Sequence, residues 1–252
     1  MSSRERLDLL LVGRGLAPSR ERAQRWILAG LVRVDGERVT QVGRRIREGA
    51  AIVVDRPEHE FVSRGGVKLA AALDAFGIDP EGRVCLDVGA STGGFTDCLL
   101  SRGARCVHAL DVGYGQLAWK LRRDPRVKVR ERTNVRHLEP RSLEPPPSLA
   151  AMDASFISLR LLLGPTAAQL VGDREIVALV KPQFEVGRER VGRGGVVDDP
   201  AARDEAVASV AAAGAGLGFD LRGVVRSPLV GAKKRNVEIF VHLAARPGTA
   251  DG

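Results

Sequence analysis

Apolar positions in the first sixty residues recur at helical spacing and then switch to alternation. Leu7, Leu10 and Leu11 fall at i, i+3 and i+4, which predicts a helix ending near residues 13–15. Ser19 fits the N-cap of a second helix with Ala23, Trp26 and Ile27 on its apolar face and Gly30 as its stop. Residues 31–34 alternate like a strand, Asp35-Gly36 is a hairpin dipeptide, Val39 returns, and residues 51–54 form a later strand. From Phe61 the texture changes. A helix is predicted over 67–76, and short apolar runs start near 84, 106, 127, 149, 176 and 236. A helix over 200–213 and a strand near 221–225 complete the pattern. Strands alternating with helices predict a largely parallel sheet wound on both faces. The expected domains are residues 1–58 and 63–246, joined by a linker at 59–62 and followed by a disordered tail at 247–252.

The most informative stretch is Val84-Cys85-Leu86-Asp87-Val88-Gly89-Ala90-Ser91-Thr92-Gly93-Gly94-Phe95-Thr96-Asp97. Strand, glycine-dense turn and helix start bring backbone N–H groups close to a nucleotide-like ligand. Counted from Gly89, the second glycine of the dinucleotide fingerprint is replaced by Ser91, and glycines return as Gly93-Gly94. A side chain at 91 crowds a pyrophosphate but suits a cofactor without one. Asp87 at the strand end fits a ligand with a cationic amino acid end. S-adenosylmethionine meets both conditions; an ordinary tight turn or an NAD site of relaxed spacing are the alternatives. Asp111, about 20 residues after the loop and followed by Val112, is placed to accept from two ribose hydroxyls. Asn134, at the end of the third strand, is placed to reach the adenine edge or to serve as a turn residue.

Composition sharpens this picture. The 252 residues suffice for one α/β domain and a small module, and the net charge of +8 favours a polyanion such as nucleic acid. Residues 1–58 hold 12 Arg, no Lys and eight acids. Arginine forks fit phosphate bidentately, and Arg4, Arg6, Arg14, Ser19, Arg20, Arg22, Arg25 and Arg33, with Arg64 beyond the linker, are the candidate RNA contacts. Cys85, Cys98 and Cys106 form no C-x-x-C and read as small core residues of a reducing compartment. No metal site is expected. The N-terminus lacks an apolar signal segment, and no apolar run approaches the roughly 20 residues that span a bilayer, so a soluble cytoplasmic protein is expected.

Polar residues at strand ends supply candidate chemistry, because α/β sheets keep their sites there. Asp153 closes the fourth parallel strand and Lys181 the fifth. Lys68 lies on the preceding helix. Glu238 falls within the last, otherwise apolar strand, where burial requires a counter-charge.

Taken together, the glycine loop, Gly113-Tyr114-Gly115-Gln116-Leu117-Ala118-Trp119, Arg132-Thr133-Asn134, Ser155-Phe156-Ile157-Ser158-Leu159, Lys181-Pro182-Gln183-Phe184-Glu185 and Gly194-Gly195-Val196-Val197 resemble the TlyA family over about residues 4 to 244. The first segment resembles the S4 RNA-binding module through Arg6-Leu7-Asp8, Ser19-Arg20 and residues 30–36. The resemblance implies a Rossmann-like S-adenosylmethionine-dependent methyltransferase fold with a seven-stranded, mostly parallel sheet, preceded by a small α+β S4 domain. It implies 2′-O-methylation of a cytidine in ribosomal RNA, on the ribosomal subunit or its RNA, with the short C-terminus favouring the 23S over the 16S molecule. Asp87, Gly89, Ala90, Ser91, Thr92, Gly93, Gly94, Phe95, Asp111, Val112, Asn134 and Asp153 would hold the cofactor. Lys68, Asp153, Lys181 and Glu238 match the Lys-Asp-Lys-Glu tetrad of FtsJ-like enzymes. A ribose hydroxyl must lose its proton as it is methylated. A free lysine is protonated at neutral pH, and burial with a second ammonium nearby favours its neutral form. Lys181 is therefore the expected base, Asp153 its orienter, and Lys68 with Glu238 the positioning groups.

Overall fold

The structure, a computed structural model, describes residues 4–28, 30–54, 61–229 and 236–246. The chain divides into two compact units, residues 1–60 and 61–252.

The first unit opens with β1 (Arg4–Arg6), α1 (Leu7–Gly13) and α2 (Arg20–Leu28). The strands β2 (Val32–Val34), β3 (Glu37–Val39), β4 (Arg45–Arg47) and β5 (Ile52–Val54) follow. The amide of Arg22 donates to Ser19 Oγ at 3.2 Å, the N-cap bond expected at the start of α2. Asp35 and Gly36 both have positive φ, 50° and 87°, the backbone that a two-residue hairpin of matching twist requires. The β3-β2-β5 sheet is antiparallel throughout. The two-stranded β1-β4 sheet was not expected. Its strands are three residues long and mostly arginine, with only Ile46 buried among them, so no apolar alternation announces them. Leu7, Leu11, Ala23, Ile27, Val32 and Val39 close the core.

The second unit carries α3 (Arg64–Phe76), β6 (Val84–Val88), α4 (Gly94–Ser101), β7 (Cys106–Leu110), α5 (Trp119–Arg122) and β8 (Val127–Arg130). It continues through β9 (Leu149–Met152), α6 (Arg160–Ala167), β10 (Glu175–Val180), α7 (Pro182–Glu185), α8 (Pro200–Gly216), β11 (Phe219–Arg226) and β12 (Ile239–Ala245). The seven strands are ordered β11-β12-β10-β9-β6-β7-β8. β12 runs antiparallel to both neighbours and the remaining pairs of the central sheet are parallel. The chain moves outward from β6 in both directions, so the loops after β6 and β9 meet where the strand order reverses, the crevice in which open α/β sheets bind ligands.

Side-chain parity fixes what lies on each face. Cys85 joins Leu69, Leu73, Leu99 and Phe240 under α3 and α4, while Leu86 and Val88 join Leu163, Val210 and Leu243 under α6 and α8. Burial pushes the thiols of Cys85 and Cys98 up to about 12, as suits inert core residues.

Three boundaries differ from expectation. The predicted linker over 59–62 ends earlier: Phe61 is buried in the α3–α4 core, and the Val62 amide donates to Asp97 Oδ2 at 2.8 Å. Helix α3 accordingly starts at Arg64, and a Cβ on Gly66 would lie 2.3 Å from the Phe61 ring, so the glycine there makes room for it. Glu238 precedes β12 rather than sitting inside it, although its carbonyl still accepts from Ser227 at 2.9 Å. Residues 59–60 and the tail at 247–252 lie outside the described residues.

Candidate active site

The glycine loop is built by backbone approach. Gly89, at φ 88°, sits so close to the strand β9 end that a Cβ would stand 2.7 Å from the Asp153 carbonyl oxygen. Only glycine fits both the left-handed backbone and that contact. The Gly89 and Ala90 amides both donate to the Leu110 carbonyl at 2.9 Å, and the Ser91 amide donates to Asp111 Oδ2 at 2.7 Å. The other Asp111 oxygen takes the Gly113 amide at 2.6 Å. Asp111 thus braces the loop it was expected to serve as a ligand group, and its carboxylate oxygens retain lone pairs for further donors.

A cavity of about 400 Å³ opens between Gly89, Asp111, Val112, Asn134, Asp153 and Ile157. Apolar Val112, Val135, Ile157 and Leu162 face it beside polar Ser91 and Thr133, a lining suited to a flat heteroaromatic ring with polar edges. Asn134 caps a short 3₁₀ turn, accepting from the Arg136 amide at 3.1 Å, and also lines the cavity. A smaller cavity of about 120 Å³ adjoins Ala90, Thr92, Gly94 and Phe95 and is bounded by Lys68 and Asp153. The cofactor candidates Gly89, Ser91 and Asp153 border both.

Asp87 does not line either cavity. By strand parity its side chain falls under α4, fully buried, where Oδ2 accepts the Thr96 amide at 2.9 Å and the Thr96 hydroxyl at 2.6 Å. Its Oδ1 is buried and has no hydrogen-bond partner among the described residues. Burial pushes this carboxyl up to about 7, and the charges of Asp153 and Asp111 push the same way. Asp87 therefore anchors α4 instead of lining the two cavities, while Asp111 and Asp153 border them. The carboxylates of Asp111 and Asp153 at the rim of a partly apolar cavity fit S-adenosylmethionine, which carries positive charge at its sulfur.

The four tetrad residues form two ion pairs. Lys68, on α3, bonds Glu238, and both side chains are nearly buried. Lys181, at the end of β10, lies 2.5 Å from Asp153 Oδ1 and 2.8 Å from Ser155 Oγ. Lys68 and Asp153 border one small cavity, which brings the two pairs to a common space.

Ser155 and Glu185 were not anticipated as site residues. Glu185, in α7, accepts Ser158 Oγ at 2.6 Å and the Leu159 amide at 2.7 Å, and so fixes the loop that carries Ser155. Burial raises the Glu185 carboxyl. Phe156, in the same loop, has a φ of 65° and is 90% exposed at the cavity mouth. A bulky residue in that backbone region signals local strain. The run Ser155-Phe156-Ile157-Ser158 gave a motif but no cue to this geometry.

Several expected RNA contacts of the first unit have other partners. Asp8 is fully buried and gathers Arg6 at 2.9 and 3.1 Å, Arg20 at 2.9 Å and Gln24 at 2.9 Å. The Arg6 hydrogen bonds hold the Asp8 carboxyl far below the ordinary range. Arg14 donates to the carbonyls of Ala50, at 2.8 Å, and Glu48. Arg22 lies over the Trp26 ring at 5.8 Å, and Ser19 is spent on the helix cap. Arg6, Arg14 and Arg20 are thus at least partly structural, because a buried carboxylate and orphan carbonyls each require donors. Arg4 is exposed, Arg33 and Arg64 are half-buried, and the Arg25 side chain is outside the described set.

Among the described residues no helix is long and apolar enough to cross a membrane. The model for FtsJ-like methyltransferases matches residues 61–245, and that for the S4 domain matches residues 5–52. The chain is 49% identical over 251 residues to the Mycobacterium tuberculosis 16S/23S rRNA (cytidine-2′-O)-methyltransferase TlyA, covering 99% of this chain and 93% of that protein. It is 38% identical over 183 residues to the Campylobacter jejuni 23S rRNA (cytidine-2′-O)-methyltransferase TlyA, covering 72% and 70%. A solved Streptococcus thermophilus chain, provisionally described as a hemolysin, superposes with a TM-score of 0.73 at 41% identity and covers 100% of this chain and 92% of that one.

Proposed function

The chain belongs to the TlyA family of S4-plus-FtsJ-like methyltransferases, and from that premise we propose that it methylates the ribose 2′-hydroxyl of a cytidine in ribosomal RNA. S-adenosylmethionine is the donor and supplies a methyl group carried on a positively charged sulfur. The observation that carries the reading is the meeting of the Lys68–Glu238 and Lys181–Asp153 pairs at a cavity bounded by the glycine loop. Both named relatives act on the 23S molecule, so 23S RNA, free or in its subunit, is the first substrate to test. RNA recognition is assigned to the first unit, chemistry to the second, and the place of action to the cytoplasm.

Each residue then has a physical task. Asp111 would accept from ribose hydroxyls of the cofactor, and Val112 and Asn134, which line the same cavity, would hold its ring. Lys68, held by Glu238, donates to the target hydroxyl oxygen and fixes its direction. Asp153 orients Lys181, and Lys181 Nζ, once deprotonated, would take the hydroxyl proton as the oxygen bonds the methyl carbon and the donor's sulfur–carbon bond breaks, which restores the ammonium that pairs with Asp153. Ser155 accepts a hydrogen bond from Lys181 at 2.8 Å, which would keep the nitrogen lone pair aimed at the substrate. Holding two reactants in line supplies a large share of the acceleration by itself.

Nucleoside mass spectrometry of ribosomal RNA, incubated with the protein and the donor, tests the reading. The expected product is 2′-O-methylcytidine, whose blocked hydroxyl resists alkaline cleavage. A base-methylated nucleoside, or no product from either ribosomal RNA, overturns it.

A further inference from the structure

We propose that Trp119 and Arg123 form a stacking site for an unpaired RNA nucleotide on the catalytic unit itself. The inference rests on the reading of RNA as substrate.

Trp119 is 68% exposed, whereas the other tryptophan, Trp26, is 9% exposed in the first unit's core. One exposed ring is ordinary on its own, and what distinguishes Trp119 is its cationic companion. Arg123 stacks on it, its guanidinium carbon 5.4 Å from the ring centroid. Neighbouring cations have carboxylate partners: Lys120 pairs with Asp97 at 2.8 Å, Arg122 with Glu131, and Arg126 with Asp124 at 2.8 Å. Among the described residues no carboxylate pairs with Arg123. Its charge is therefore available to a phosphate while its plane extends the tryptophan face. A π-face continued by a guanidinium is the surface on which splayed bases stack without sequence preference. A second such pair joins Tyr114, in the loop before α5, to Arg132, just after β8, at 4.3 Å, and Tyr114 is also 68% exposed.

The location suits a nucleotide near the reacting one. The Ala118 amide donates to the Thr92 carbonyl of the glycine loop at 3.1 Å, so Trp119 follows directly on a residue bonded to the cofactor loop. Leu117 and Leu121 fill the space where a Cβ on Gly93 would stand, at 2.8 and 2.2 Å, which fixes the Trp119 turn rigidly against that loop. An RNA whose target ribose reaches Asp153 thus passes a rigid, cationic aromatic surface.

The test is intrinsic fluorescence of the full chain titrated with a single-stranded fragment of 23S RNA, beside filter binding of the same RNA. Trp26 is enclosed, so RNA is expected to quench the Trp119 part of the emission. Trp119→Leu should abolish the quench and weaken RNA binding roughly five-fold or more, the cost of one lost stack. Trp119→Phe should recover part of that affinity. Unchanged S-adenosylmethionine binding in both variants reports that the fold is intact. Equal RNA affinity in the parent and Trp119→Leu, or binding without quench, overturns the proposal and points instead to a protein partner for this surface. Failure of the parent to bind RNA at all removes the substrate reading with it.

Discussion

Both units bury charge, but they do so to opposite ends. In the first unit Asp8 has no exposure and draws in two arginines and a glutamine, so every donor is turned inward on one carboxylate. In the second unit the lysines are matched singly with carboxylates, and each pair keeps one member against a cavity. A buried ion saturated by several partners is structural; a buried ion pair that borders empty space has capacity left for a third party. Residue type alone does not separate the two cases. The number of partners and the presence of a free side do.

The largest break in this contrast should come from the pairs facing the cavity. Lys181→Ala and Asp153→Ala are expected to lower methyl transfer at least about a hundred-fold, while the Lys181→Ala protein still binds S-adenosylmethionine by calorimetry. Lys68→Ala and Glu238→Ala should cost less, and combining variants across the tetrad should be non-additive. Full turnover in Lys181→Ala would remove it as the proton acceptor.

Asp8→Ala should act on stability instead. Leaving Arg6 and Arg20 without their shared anion is expected to cost about 2 kcal/mol, at the low side for a broken buried pair because both arginines reach solvent. Scanning calorimetry of the full chain should show the first unit melting earlier and the catalytic unit unchanged. Because the folded-state carboxyl titrates below its unfolded value, this stabilisation is complete above about pH 4 and disappears as acid titrates it. An unchanged melting profile for Asp8→Ala at neutral pH would mean that the inward donors are incidental.

A smaller, graded effect is expected from Asp87. Burial pushes its carboxyl up to about 7, and a cationic ligand favours the ionised form. Affinity for S-adenosylmethionine should therefore rise with pH through 7, by about ten-fold between pH 6 and 8 if the bound state is fully ionised. Asp87→Asn should flatten that slope, and a slope that persists in the variant assigns it to another group. The smallest change is expected from Arg4→Ala: a modest loss of RNA affinity with a shallower salt dependence, since one phosphate contact releases about one counterion.

The catalytic unit was largely legible in the sequence because its signals are local. Apolar runs ending in Asp111, Asp153 and Lys181 mark strand ends, and Gly89 and Gly93-Gly94 mark a turn that few other residues could make. A counter-charge for Glu238 was expected from the need to neutralise a buried acid, but nothing local shows that Lys68, 170 residues away, supplies it. Other features depend on partners distant in sequence or on three-residue segments. Nothing near Asp8 in the chain tells that Arg20 and Gln24 will reach it from the next helix. The β1-β4 ribbon has too few apolar positions to show a period. The inward turn of Asp87 was readable in principle, since Cys85 two residues earlier faces the same helices, but the strand-end position suggested a ligand instead. The four-residue helices α5 and α7 are shorter than any periodic signal.

The contact of Gly89 with the Asp153 carbonyl has a consequence for how this enzyme could be altered. The loop that receives the donor and the residue that orients the acceptor meet backbone to backbone at Gly89, with no intervening side chain to absorb an error. They behave as two jaws of one fixed gauge. A substitution at 89 would open both jaws together, so donor affinity and reaction rate would fall in step. Attempts to admit a bulkier methyl-donor analogue would gain room more safely at the outer wall, near Val112 and Ile157, where the gauge is not set.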